Sequence, residues 1–421
     1  MALMPLLFLG TAFPCSMYKI TSNGITMVGN NEDSWGRDSR IWFEQGLNGN
    51  YGVAYVGYLR KQLPDGGMNE HGLVFDAFTM PHKANMPERD PNKENFVYSH
   101  LKTILQQCKT VDEAYVFLEK LNLHVLNGSP IFNGGMLLFV DKSGKYLVVE
   151  ADKMSFGDNE KFVLANFSFA DTKDLSKVKM VRYCNGVEFL KNKNLETNLP
   201  FCTALSDTMS VNRAKAGDGT LYTSIYNLNE GVIHTYFFHD YTLCKTFNLK
   251  EELAKGDHSY TFSELFPENK AYQKFLNYKT PQNNKLIFFF IIACGLLFFI
   301  TSVFYFTNFL KSPNKNYNYL KAGISVLSAV LAVYMFVLLR NQVIFYFPSP
   351  YNDGHSLFLA IFAYVPYIVL LSIVPLTIIS VKIIKQKLWI GFAKYLLVPN
   401  LFFYLILIGF FVYWKLFGIF R

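Results

Sequence analysis

The chain predicts an α+β domain of layered sheets and helices followed by four membrane-spanning helices. Three observations carry that expectation. Strand-like runs joined by tight turns fill the first two-thirds, with helical patterns set between them. Four long apolar runs fill the last third, at 286–310, 322–339, 356–384 and 388–417. The charge follows the same division. From Leu286 onward there are ten lysines and arginines against one acid, Asp353, so the net charge of +8 on 421 residues sits among hydrophobic runs. A basic excess placed there points to membrane topology and away from nucleic acid as a partner.

Residues 1–14 are apolar and end in small or turn residues, like the h-region of a secretory signal. They lack a positive n-region, and Pro14 before Cys15 makes a poor signal-peptidase site. A signal-like leader, a propeptide cut autocatalytically before Cys15, a misassigned start and a lipoprotein signal are the readings left open. Next, Asn23-Gly24 marks a tight hairpin. Counting outward, Ser22 faces Ile25, Ile20 faces Met27, Tyr18 faces Gly29, and Cys15 faces Glu32. A cysteine is thereby returned to the acid-rich stretch Gly29-Asn30-Asn31-Glu32-Asp33. If Cys15 became the first residue, its α-amine, with an unperturbed pKa of about 8, would serve as a base beside the thiol.

Strands are expected at 40–43 and 51–59, then a glycine-punctuated turn at 66–73 leads into a strand at 74–78. Helices are expected at 95–107 and after Thr110, which caps a run with Asp112 and Glu113 in its first turn. Hairpins are expected at 136–150 and 221–238, a short strand at 162–165 and a helix at 175–191. Cys108, Cys184, Cys202 and Cys244 read as buried thiols, with a Cys184–Cys202 disulfide as an option in an oxidising compartment. Neither cysteine nor histidine spacing suggests a metal, and no cofactor is expected.

Each of the four apolar runs can cross a bilayer core of roughly 30 Å. Lysines crowd the segments 311–321 and 382–387, whereas 341–355 has none. By the positive-inside rule those basic segments are cytoplasmic and the domain before Leu286 is extracytoplasmic. The expected organisation is a leader over 1–14, a catalytic domain over 15–280 and a membrane domain over 286–421.

In its motifs the first domain resembles the N-terminal-nucleophile (Ntn) hydrolases of the choloylglycine hydrolase, penicillin V acylase and acyl-CoA:6-aminopenicillanic acid acyltransferase type, the linear amide C–N hydrolases. The likeness spans roughly 15–238. Cys15-Ser16 with Gly29-Asn30-Asn31-Glu32-Asp33 looks like the family's nucleophile and its Gly-Arg-Asn-x-Asp turn. Gly67-Met68-Asn69-Glu70-His71-Gly72-Leu73 looks like its Gly-Met-Asn-Glu-x-Gly-Leu stretch. Asp141-Lys142-Ser143-Gly144 with Val148-Val149-Glu150 looks like a third motif, and Val163-Leu164-Ala165-Asn166 like a strand ending in a functional asparagine.

The resemblance implies a four-layer αββα sandwich and cleavage of a linear, non-peptide amide of an N-acyl substrate through a thioester. It implies that Cys15 attacks, that its amine takes the thiol proton and later passes one to the leaving nitrogen, and that Asp33 pairs with that amine. Asn166 would donate to the oxyanion, and Thr79 falls where relatives place a second donor. Arg213 is the candidate for the family's late arginine. Acyl transfer by the same cysteine, or a membrane-anchored binding module without catalysis, are the alternative functions. Two departures stand out. Asn30 replaces an expected arginine, which Arg37 or Arg40 would have to supply. A bulge at Asn30-Asn31 is needed if Asp33, rather than Glu32, is to face Cys15.

Overall fold

The computed structural model describes residues 15–58, 64–128, 134–311, 318–349, 357–389 and 392–418. The leader expected over 1–14 lies outside the described residues. The chain divides into two compact units, Met1–Leu276 and Asn277–Arg421.

The first hairpin forms as the Asn-Gly pair requires. Asn23 and Gly24 take φ of 51° and 74°, the two left-handed values of a type I′ turn. Strands Cys15–Ser22 and Ile25–Ser34 then pair without interruption from Ser22↔Ile25 to Cys15↔Glu32. The bulge expected at Asn30-Asn31 is therefore absent. A two-residue turn sets the register, and burial of both faces holds it, because a one-residue slip would turn every side chain over. The irregularity lies on the neighbouring strand Gly219–Asn227, where Thr220 faces Asp33, Tyr222 faces Glu32 and Leu221 is the extra residue.

This hairpin is the middle of a six-stranded sheet in the order Lys161–Ala165, Cys15–Ser22, Ile25–Ser34, Gly219–Asn227, Val232–Phe237 and Asp240–Asn248. An eight-stranded sheet runs Met154–Gly157, Tyr146–Val149, Gly134–Val140, Val74–Met80, Pro64–Asn69, Val53–Tyr58, Ser39–Glu44 and His258–Thr261. Helices His100–Gln107 and Val111–Leu118 cover the latter. Their Leu101, Ile104, Leu105, Val111, Ala114 and Leu118 bury against Tyr55, Phe75, Phe139, Leu147 and Val149. Helices Val181–Asn192 and Leu199–Met209 cover the six-stranded sheet, and the Tyr18 hydroxyl donates to the Cys202 carbonyl at 2.7 Å. Helices, sheet, sheet, helices: the unit is a four-layer αββα sandwich.

Several local expectations change. The helix expected at 95–107 is only His100–Gln107, because Glu94–Asn95 pairs with Leu121–Asn122. Asn122 holds that geometry by donating to the carbonyls of Asp90 and Lys93, both at 2.8 Å. The helix expected at 175–191 splits into a turn at Leu175–Lys177 and the helix Val181–Asn192. The helix Leu199–Met209 escaped notice, although Asn198 caps it by accepting from the Phe201 amide at 2.9 Å and Pro200 sits in its first turn. Among the described residues no cysteine is in a disulfide, so Cys184 and Cys202 are not joined, and Cys244 is exposed rather than buried.

Among the described residues of the second unit, four helices are long and apolar enough to cross a membrane: Lys285–Lys311, Asn318–Arg340, Leu359–Lys385 and Tyr395–Tyr413. Their outward residues are apolar, among them Leu286, Phe289 and Leu371. Their inner contacts include polar ones. Tyr305 donates to the Ala393 carbonyl at 2.7 Å, Ser325 to the Ser302 carbonyl at 2.8 Å, and the Asn400 amide to Thr301 Oγ1 at 3.2 Å. Such pairs tie helices together where hydrophobic exclusion offers no force.

Candidate active site

The strand Ile25–Ser34 ends in two adjacent acids, and alternation sends them to opposite faces of its sheet. Asn31 faces the helix layer, where its amide donates to the Ser206 carbonyl at 2.8 Å. Asp33, two residues on, shares that face and accepts from Thr220 Oγ1 at 2.5 Å. Glu32 points between the sheets. Its Oε1 accepts from Tyr58 of the other sheet at 3.1 Å, and its Oε2 accepts from Cys15 Sγ at 3.0 Å. The uninterrupted register thus gives the thiol to Glu32, while Asp33 sits across the main chain from it.

Cys15 is 1% exposed. Burial pushes its thiol well above the ordinary value, and the charges of Glu32, Asp76 and Asp33 push the same way. A standing thiolate is therefore disfavoured. Asp76, buried on the facing strand, is raised well above the carboxylate range by its own burial and by Glu32 and Asp65.

The cation at the site is Arg182, from the first turn of Val181–Asn192. Its Nε donates to the Cys15 carbonyl at 3.3 Å and its Nη2 to Asn166 Oδ1 at 2.5 Å. Sequence reasoning missed it. The expected substitutes are engaged elsewhere: Arg37 donates to the carbonyls of Leu276 and Phe275, and Arg40 lies over the Trp42 ring. Arg182 lies 167 residues from Cys15 in sequence, so only the fold brings it there.

Asn166 ends its strand as expected and links the two sheets. Its Nδ2 donates to the Thr79 carbonyl at 2.7 Å and to Thr79 Oγ1 at 3.1 Å. Arg182 thus joins Cys15 to Asn166, and Asn166 in turn reaches Thr79. Arg213, half-buried nearby, forms an ion pair with the buried Asp218 at 2.5 Å and is close enough to act on the charge of Asp33. Among the described residues, no group of three His, Cys, Asp or Glu side chains is arranged to hold a metal.

The remaining family-like motifs have structural work. Asp141 accepts from the Val111 amide at 2.9 Å and from the Ser143 hydroxyl at 2.5 Å, which closes its turn against a helix start. Glu150 accepts from the amides of Phe169 and Ala170 at 2.9 and 3.0 Å, and so holds the loop that follows Asn166. Asn127 is buried and bonded to both main-chain groups of Lys83.

Burial raises Asp33 to about 6, against the lowering pull of Arg182, Arg213 and Thr220. An acid raised on folding contributes stability that is present below its unfolded pKa and is lost as pH rises through the folded one. The full-length chain with Asp33→Asn should therefore match the wild type near pH 4 and exceed it above about pH 6, by about 1–3 kcal/mol. Unfolding temperature against pH checks this; a difference constant from pH 4 to 8 would contradict it.

Residues 25–169 match the family model described as linear amide C–N hydrolases, choloylglycine hydrolase family. This bears out the likeness carried by the motifs, and the sheet-rich unit is an Ntn-hydrolase-like domain. No curated protein matches the chain. Among solved structures, a variant of conjugated bile acid hydrolase from Clostridium perfringens is 18% identical over 61% of this chain and 99% of that one, with a TM-score of 0.49. Penicillin V acylase from Agrobacterium tumefaciens is 14% identical over 57% and 87%, with a TM-score of 0.41. The Caenorhabditis elegans ortholog of N-acylethanolamine-hydrolyzing acid amidase is 11% identical over 51% and 92%, with a TM-score of 0.35.

Proposed function

We propose, from a domain that matches the linear amide C–N hydrolases over residues 25–169, that this protein is a membrane-tethered amidohydrolase using Cys15 as nucleophile. The observation that carries the reading is the Arg182 clamp, which fastens the main chain of Cys15 to Asn166 through one guanidinium. A nucleophile and an oxyanion donor must be held in fixed relation for attack to be productive. In this reading Cys15 Sγ attacks the carbonyl of a linear N-acyl amide and forms a thioester, which water then cleaves. The α-amine freed by removal of residues 1–14 passes a proton to the leaving nitrogen, and Asp33 holds its ammonium form. Asn166 donates to the oxyanion by giving up its longer bond, to Thr79 Oγ1. One such donor is worth about 3 kcal/mol of barrier. The lysines at 311–321 and 382–387 favour a cytoplasmic position for those segments, which leaves the catalytic domain on the extracytoplasmic side.

The test is the mass of the mature N-terminus, followed by turnover of N-acyl amides of graded acyl length. A chain that keeps residues before Cys15, or carries a lipid on it, would lack the free amine and sink the reading. Arg182→Gln should lower kcat about 100-fold or more on the best of these amides, while the circular dichroism stays unchanged. Arg182→Lys should rescue little, because an ammonium cannot reproduce the guanidinium fork. Full activity in the lysine variant would show that only charge matters there.

A further inference from the structure

The uninterrupted hairpin register leaves the thiol and a carboxylate in direct contact, and the mechanism so far does not use that contact. Cys15 Sγ donates to Glu32 Oε2 at 3.0 Å, and the Tyr58 hydroxyl donates to the other oxygen at 3.1 Å. Both oxygens of the carboxyl group are thus within hydrogen-bond reach of a donor, the arrangement in which a carboxylate can accept the thiol proton. We infer that Glu32 receives the thiol proton during attack, which leaves the α-ammonium group to act as the acid toward the leaving nitrogen.

The inference rests on the reading of Cys15 as the amide-cleaving nucleophile. An α-amine with a pKa of about 8 is roughly nine-tenths protonated at pH 7. Asp33, assigned to stabilise the ammonium, increases that share. Such a group is a ready acid and a scarce base. A carboxylate is a ready acceptor, already on the thiol. Because burial and neighbouring charge disfavour a free thiolate, the proton has to leave as the sulfur–carbon bond forms.

The protons balance over a full cycle. In acylation the S–C bond forms, the thiol proton moves to Glu32, and the carbonyl electron pair moves to oxygen. The oxyanion then collapses, the C–N bond breaks, and the ammonium gives a proton to the departing nitrogen. In deacylation the amine takes a proton from the attacking water. The C–S bond breaks, and Glu32 returns its proton to sulfur. The titratable groups facing Glu32 are Cys15 on its partner strand, Tyr222 on its other neighbour, and Tyr58, Asp65 and Asp76 on the facing sheet.

The full chain in detergent tests this with two reactions: turnover of the best N-acyl amide, and alkylation of Cys15 by iodoacetamide followed by peptide mass. Glu32→Gln should lower turnover at pH 7 about 100-fold or more, the scale of a lost general base, and erase the acid limb of kcat/KM. It should also speed alkylation at pH 9, because a negative charge beside the thiolate is gone. A merely structural role would slow both reactions together, and that result overturns the inference. Tyr58→Phe decides the matter if the glutamine variant fails to fold. Losing the donor on Oε1 makes the carboxylate more basic, so the acid limb should move up by about one pH unit. An unmoved limb overturns the inference. Wild-type turnover in Glu32→Gln with Cys15→Ala inactive refutes the role of Glu32 alone. Activity in Cys15→Ala refutes the underlying reading instead.

Discussion

Replacing Cys15 with alanine is expected to abolish turnover of every amide that the wild-type protein cleaves, with the sandwich intact. The thiol is a small group at the start of a strand whose ladder of pairs to Ile25–Ser34 does not depend on it. Its loss removes one hydrogen bond, to Glu32, which keeps Tyr58. The cost in stability should be about 1 kcal/mol. The cost in rate has no such bound, because the proposed covalent route closes with the thiol. Cys15→Ser should also be inactive or nearly so, since an alkoxide is far harder to generate than a thiolate in a buried site lined by Glu32 and Asp76. Turnover and circular dichroism measured on the same preparations decide the point. A folded alanine variant with unchanged turnover would remove Cys15 from the chemistry.

Asn69→Ala should be among the most destabilising substitutions in the first unit, although Asn69 sits in a family-like motif and touches none of the candidate catalytic groups described above. Its side chain is fully buried and makes four hydrogen bonds. Nδ2 donates to the carbonyls of Leu105 and Cys108 at 2.8 and 2.7 Å. These belong to the end of the helix His100–Gln107, where carbonyls lack intrahelical partners. Oδ1 accepts from the amides of His71 and Leu73 at 3.1 and 3.0 Å, and so closes the turn after Pro64–Asn69. One side chain therefore pins a helix end to a sheet turn. Alanine would strand buried main-chain groups at about 1–3 kcal/mol each, for a total on the order of 4 kcal/mol. The unfolding temperature of the sheet domain should fall by on the order of 10 °C. Asn69→Asp keeps the acceptor but turns a carboxylate oxygen toward the carbonyls of Leu105 and Cys108, so at neutral pH it should destabilise at least as much as alanine; a wild-type unfolding temperature in the alanine variant would contradict the argument.

These two residues show how differently one kind of signal can be used. Cys15, Asn69, Asp141 and Glu150 all belong to the motif series that carries the family resemblance. Cys15 is the one to which the proposal gives a chemical role; the other three satisfy main-chain groups at turns and a helix end. Motif order identifies a fold because such staples are needed wherever the same turns recur. It does not separate a staple from a catalyst, since both are polar residues at strand ends.

The hairpin register, which sets Cys15 opposite Glu32, and the four apolar spans could be read from the chain alone. Each rests on physics local in sequence: a two-residue turn with φ positive at both positions, a period of two, and runs long enough for a bilayer. What the sequence left open was non-local. Arg182 reaches Cys15 and Asn166 only because its helix lies on the outer face of the six-stranded sheet. The local register already set Glu32 opposite Cys15, but which face of the hairpin turns toward the second sheet needed the fold, since no local pattern specifies it. Packing brought Tyr58 of that sheet to Glu32 and placed Asp33 against Thr220 on the helix side.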